Sequence, residues 1–139
     1  MKHPIENTPS IPSHLINIHQ FVLDTLKIEI GNYHMEKEST EYGASTFEIG
    51  KAKVTFRMSK ITPNKIGQFV TLWKRNKQGI IEPLDQNDKS DFVIIESKKL
   101  NRTGQFIFPK KALAEHGILS GKNEGKRGFR IYPSWDLAV

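Results

Sequence analysis

Two carboxylates and a lysine are spaced in a way that suits metal-assisted phosphodiester chemistry. Glu41 and Glu48 precede an alternating run, Val54 to Met58, and Lys60 follows it. Carboxylates on neighbouring strands can hold Mg²⁺ or Mn²⁺, and a lysine beside them can position water or offset phosphoryl charge. Glu41 and Glu48 are therefore the candidate metal ligands, and Glu41, Glu48 and Lys60 the candidate catalytic residues. The spacing suggests a restriction-endonuclease-like arrangement with one departure. Such motifs place a carboxylate two residues before the lysine, where this chain has Met58. A single carboxylate binds Mg²⁺ poorly, so Glu41 would have to supply the missing ligand. The competing role for both glutamates is structural, as ion-pair partners of Arg57 or Lys60.

Charge is segregated along the chain. From Ile49 to Ile81 there is no Asp or Glu, but there are eight bases: Lys51, Lys53, Arg57, Lys60, Lys65, Lys74, Arg75 and Lys77. The 48 residues before this block carry three bases and seven acids, and the overall net charge is +6. Such a block is expected to form one continuous positive surface that meets phosphate. Arg57, Lys60, Thr62 and Lys65 are its candidate phosphate contacts, since a hydroxyl, turn amides and cationic side chains together can cradle an anion. The competing role is a solvated edge strand that uses lysine to block pairing. A second anion patch is expected from Lys110, at the start of a short helix after Pro109, with Arg127 and Arg130. Trp73, Tyr132 and Trp135 are the candidate stacking residues. Tyr132 and Trp135 serve equally well as staples of the chain end.

Composition removes several chemistries. The 139 residues contain no cysteine, which excludes disulfides, thiolate catalysis and cysteine-ligated metals. No apolar run is long enough for a transmembrane helix, and the first residues lack the core of a signal peptide, so the expected location is cytoplasmic. Nucleotide-binding glycine loops, HExxH and GxSxG are absent. Asp85, Asp88 and Asp91 lack EF-hand spacing and are expected to cap or lie at the surface.

The elements that must position these residues follow from periodicity. Residues 1–9 are expected to be flexible, and 10–139 to form one domain. A helix is expected from Pro12 to Ile28, then a polar connector from Gly31 to Thr40. Strands are expected at Thr46 to Ile49, Val54 to Met58, Gln68 to Trp73, Asp91 to Ser97, Gly104 to Phe108 and Arg127 to Tyr132. Gly50-Lys51 is a tight turn, Pro63 ends its strand, and Asn76 to Ser90 is a loop. The continuous apolar centre of Asp91 to Ser97 predicts burial on both faces. A short helix, KKALAEHG, stops at Gly117. The order gives an α/β or α+β domain with a central mixed sheet flanked by helices.

EYGASTFE (41–48), FRMSKITPNKIGQFVTLWKR (56–75), GQFIFPKKAL (104–113) and KRGFRIYPSWD (126–136) together resemble the MepB family of small bacterial proteins. The matching positions are Glu41, Glu48, Arg57, Lys60, Thr62, Lys65, Gly67, Trp73, Lys110, Arg127, Arg130 and Trp135. The resemblance implies a restriction-endonuclease-like fold and carries no reaction with it. Family members tend to continue beyond the YPSWD-like element. The expected function is binding of a phosphate-bearing ligand, nucleic acid first, without a membrane. The alternatives are a divalent-metal nuclease and an interaction protein whose basic face meets an acidic protein partner.

Overall fold

The computed structural model describes residues 30–136, so the expected helix from Pro12 to Ile28 and the expected flexible 1–9 segment lie outside the described residues. Those residues form three sheets and one short helix. The strands are β1 (Ile30–Met35), β2 (Ser45–Ile49), β3 (Ala52–Met58), β4 (Lys60–Ile61), β5 (Gln68–Thr71), β6 (Trp73–Arg75), β7 (Ile81–Pro83), β8 (Phe92–Lys99), β9 (Arg102–Pro109) and β10 (Gly128–Ile131). The helix α1 spans Lys110–Glu115. The result is a mostly-sheet, α/β-like domain with a mixed main sheet. In place of the several flanking helices expected from the sequence, the described residues show one short helix against that sheet, α1, which packs through Leu113. Among the described residues, no helix is long and apolar enough to cross a membrane.

The main sheet has the order β1-β2-β3-β8-β9. β1, β2 and β3 run as an antiparallel meander, β8 lies parallel to β3, and β9 returns antiparallel to β8. Gly50 and Lys51 make the two-residue β2–β3 turn, which closes beside the Ile49–Ala52 pair. Gly50 has φ +59°, a value glycine adopts without a Cβ penalty. A second sheet, β10-β5-β4, is antiparallel throughout. β6 and β7 form a separate hairpin.

Strand alternation gives the main sheet two apolar faces. Phe47, Val54, Phe56 and Ile94 cluster on one. On the other, Val93 and Ile95 pack against Val70 and Leu72, Ile131, and Leu113 of α1. The second sheet therefore covers one side of β3 and β8. A strand expected to be half-buried, Val54 to Met58, is in fact central, and its polar side chains Thr55 and Arg57 are buried too. Alternating polarity along this strand reads as amphipathic, but a polar side chain can point into a second layer. Where the two sheets meet, Ser59 Oγ donates to Gln68 Oε1 at 2.6 Å and lies 2.6 Å from Ser97 Oγ. Gln68 Nε2 donates to the Lys98 carbonyl at 3.2 Å. This network satisfies side chains that would be costly to bury unpaired.

Candidate nucleic-acid interface and an arginine-floored cavity

Register brings Lys60 and Arg130 together. Lys60 pairs with Phe69 across β4–β5, and Phe69 pairs with Arg130 across β5–β10. Directly opposed residues share a face, so the three side chains form one row across the sheet. Two strand spacings separate the backbones of Lys60 and Arg130 by roughly 9–10 Å. The face is the one away from the core, because Val70 and Phe129 point the other way. Gly128 admits the Phe69 ring: a Cβ there would lie 2.6 Å from Phe69 Cζ.

Around this row, Lys60 Nζ sits 4.8 Å from the centre of the Tyr42 ring. Arg130 donates from Nη2 to Thr62 Oγ1 at 2.7 Å and to the Ile66 and Gly67 carbonyls at 3.1 and 3.2 Å, and from Nε to the Ile66 carbonyl at 3.2 Å. It thereby anchors the 62–67 turn that carries Lys65. Tyr132 is exposed, and its ring lies against Gly67. None of Lys60, Lys65 and Arg130 has an ion-pair partner among the described residues. Lys60 and Arg130 thus share one face with the Phe69 ring, and the 62–67 turn that carries Lys65 is tied to it through Arg130.

Two other bases of the block are paired with carboxylates. Lys74 pairs with Asp88 at 2.6 Å and Glu82 at 3.6 Å. Burial pulls the Lys74 ammonium down, but Asp88, Glu82 and Asp85 outweigh it and hold it above its ordinary value. Arg75 grips Glu38 through Nε and Nη2, and its hydrogen bonds hold the Glu38 carboxyl below the usual range. The expected single positive surface from Ile49 to Ile81 is therefore interrupted at Lys74 and Arg75, whose charges are paired, and at Arg57, which is buried. The acids missing from that stretch return from Glu38, Glu82 and Asp88, which are distant in sequence or beyond its end.

Several other expected contacts have structural partners. Lys110 donates its ammonium to the Asp88 carbonyl at 2.6 Å and its backbone N–H to the Asp91 carbonyl, so the short helix start is not an open anion site. Arg127 pairs with Glu124 at 2.7 Å. Trp135 packs on Gly104, where a Cβ would lie 3.1 Å from the indole, and acts as a staple. Asp85, Asp88 and Asp91 accept backbone N–H groups in the 85–91 loop and at Lys53.

The proposed metal group does not converge. Glu48 pairs with Lys53 near the β2–β3 turn, while Lys60 lies seven residues further along, roughly 20 Å away at about 3.3 Å per residue. Glu41 lies in the single turn Thr40–Tyr42, beyond the opposite end of β2, on the Lys60 side. The two glutamates are thus at opposite ends of one strand. Among the described residues, no group of three or more acidic or histidine side chains has metal-binding geometry. These donors do not fit Mg²⁺ or Mn²⁺. Glu41 and Glu48 also lack the expected ion pairs with Arg57 or Lys60.

A cavity of about 490 Å³ opens beside β3 and β6. Arg57, only 5% exposed, lines it together with Thr46, Thr55, Trp73, Ser90, Lys89 and Glu36. Arg57 Nη1 donates to the Phe56 carbonyl at 2.8 Å, and its buried Nε has no hydrogen-bond partner among the described residues. Burial pushes the guanidinium down to about 10, with Glu36 opposing that change at longer range. Sequence patterns single out Arg57 and Trp73 but do not reveal the cavity. Its other walls come from residues 36–46 and 84–90, segments whose patterns read mainly as connector and loop.

Residues 36–139 match the family model described as MepB-like. A solved structure described as the crystal structure of MepB aligns with a TM-score of 0.78 at 29% identity, covering 93% of this chain and 85% of that one. No match is found among curated proteins. With most of its length inside the family match, this chain belongs to the MepB-like family.

Proposed function

We propose that this protein binds nucleic acid in the cytoplasm through the outer face of the β4–β5–β10 sheet. Lys60 and Lys65 would contact phosphates, Arg130 would add its charge and Nη1 while its Nε and Nη2 hold Thr62 and the Ile66 and Gly67 carbonyls, and the exposed Tyr132 would offer a stacking surface. The observation that carries this reading is the Lys60–Phe69–Arg130 row, whose cations lack carboxylate partners among the described residues while Lys74, Arg75 and Arg127 have them. Phosphate contacts of this kind position a strand without choosing a sequence, so weak, non-specific binding is expected. We carry the restriction-endonuclease-like fold as part of the same proposal. Its support is the antiparallel β1–β2–β3 run followed by β8 parallel to β3. The nuclease reading has no comparable support, because Glu41, Glu48 and Lys60 are not gathered.

Fluorescence anisotropy with labelled DNA and RNA, against polyglutamate as competitor, tests the assignment. Lys60→Ala with Lys65→Ala should weaken nucleic-acid binding by about tenfold or more, taking roughly 0.5–1.5 kcal/mol for each of the two solvent-exposed contacts. Unchanged affinity would move the function elsewhere. Polyglutamate bound as tightly as nucleic acid would favour an acidic protein partner.

A further inference from the structure

We propose that the cavity floored by Arg57 binds a small molecule with an oxyanion head, phosphate or carboxylate, and a flat body held against Trp73. The site is separate from the sheet face assigned to nucleic acid and uses none of its cations.

Three observations support it. First, Arg57 is a buried cation with incomplete partners. Nη1 is used on a backbone carbonyl, Nε has no partner, and no carboxylate lies within ion-pair distance among the described residues. A buried charge is normally paired and hydrogen-bonded, and a bound anion would complete this one. Second, the other charges in the wall largely cancel. Lys74 is held by Asp88 and Arg75 by Glu38, which leaves Arg57 and Lys89 against Glu36. A ligand with an anionic end at Arg57 and a donor on its body near Glu36 matches that remainder. Third, the volume and walls suit such a molecule. About 490 Å³ is within the range of small-molecule sites, and the lining mixes Trp73 and Leu84 with the hydroxyl-bearing Thr46, Thr55 and Ser90. Thr55 Oγ1 and Ser90 Oγ are 2.6 Å apart, and Ser90 donates to the Phe92 carbonyl at 3.1 Å, so Thr55 can donate to Ser90 and both hydroxyls are held in place.

The experiment uses Trp73 as reporter in the full chain with Trp135→Phe. Adenosine monophosphate, adenosine, inorganic phosphate and benzoate are titrated by fluorescence and by calorimetry. Saturable binding of a phosphate- or carboxylate-bearing probe is expected. The monophosphate alone would identify a phosphate head, and benzoate alone a carboxylate. Arg57→Met should weaken binding by about 10- to 100-fold, as for loss of a hydrogen bond to a charged group. Near-ultraviolet circular dichroism checks that this variant is folded, and Arg57→Lys, which keeps a charge, should retain part of the affinity. Three results would overturn the proposal: no saturable binding of any probe up to about 10 mM, adenosine binding as tightly as its monophosphate, or full affinity in folded Arg57→Met. Lys60→Ala with Lys65→Ala should leave this binding unchanged, so failure here is distinguishable from failure of the nucleic-acid reading.

Discussion

Removing the charge at Arg57 should make the ligand-free protein more stable. Burial pushes this guanidinium down to about 10, well below its ordinary value. At about 1.4 kcal/mol per pH unit, burying the charge opposes folding by about 3 kcal/mol at neutral pH. Arg57→Met keeps a similar length and deletes the charge. It also deletes the hydrogen bond from the charged guanidinium to the Phe56 carbonyl, which is worth about 1.5 kcal/mol. The net expectation is a gain of about 1.5 kcal/mol, or roughly 4–8 °C in Tm for a domain of this size. Replacing buried ion pairs by apolar groups is often neutral or stabilising in other proteins as well. Urea melts of both forms in a buffer free of phosphate and carboxylates measure it. A ligand that occupies the cavity would stabilise the wild type more than the variant and narrow the gap. A variant less stable than wild type by more than about 1 kcal/mol would refute the reasoning, because the charge would then have a strong partner in the ligand-free protein.

Two further changes test the fold. Gly67→Ala should cost about 2–4 kcal/mol, because φ is +82° and the new Cβ would lie 2.6 Å from the Ile131 carbonyl oxygen; a urea midpoint equal to wild type would contradict the β5–β10 register. Glu96 is fully buried, and burial raises its carboxyl above the usual range against the opposing effects of Gln105 and Lys98. The fold therefore holds the Glu96 proton more tightly than the unfolded chain does. That stabilisation is complete below the ordinary carboxyl value and is lost as pH rises through the raised one. Glu96→Gln should remove this loss, so the variant should gain on wild type from pH 4 to pH 8 in urea melts; a gap independent of pH would show that Glu96 titrates normally.

Much of the sheet is legible in the sequence because its strands carry the usual marks. Phe47 and Ile49, then Val54, Phe56 and Met58, alternate on either side of Gly50-Lys51, and the structure turns there. The apolar centre of β8 signals burial on both faces, and Val93, Ile94 and Ile95 are all buried. β1 reads as connector because its ladder is irregular: the register shifts between Gly31 and His34, and Asn32 has φ +48°. That break erases the two-residue period. β7 is hidden in an expected loop because it is three residues long and ends in Pro83. The anion candidates are legible as residue types but not as neighbours. Lys60 and Arg130 are 70 positions apart, and only the shared partner Phe69 joins them. Glu48 and Lys60 read as close because a hairpin intervenes, yet antiparallel pairing places Glu48 beside Lys53.

The salt dependence of oligonucleotide binding tests the central claim most directly. Three phosphate contacts, from Lys60, Lys65 and Arg130, should give a slope of log K against log salt of roughly −2 to −3, and losing both lysines should reduce its magnitude by about 1.4–1.8. A slope near zero in the wild type, or the same slope in the Lys60→Ala, Lys65→Ala protein, would contradict the assignment of this face to nucleic acid.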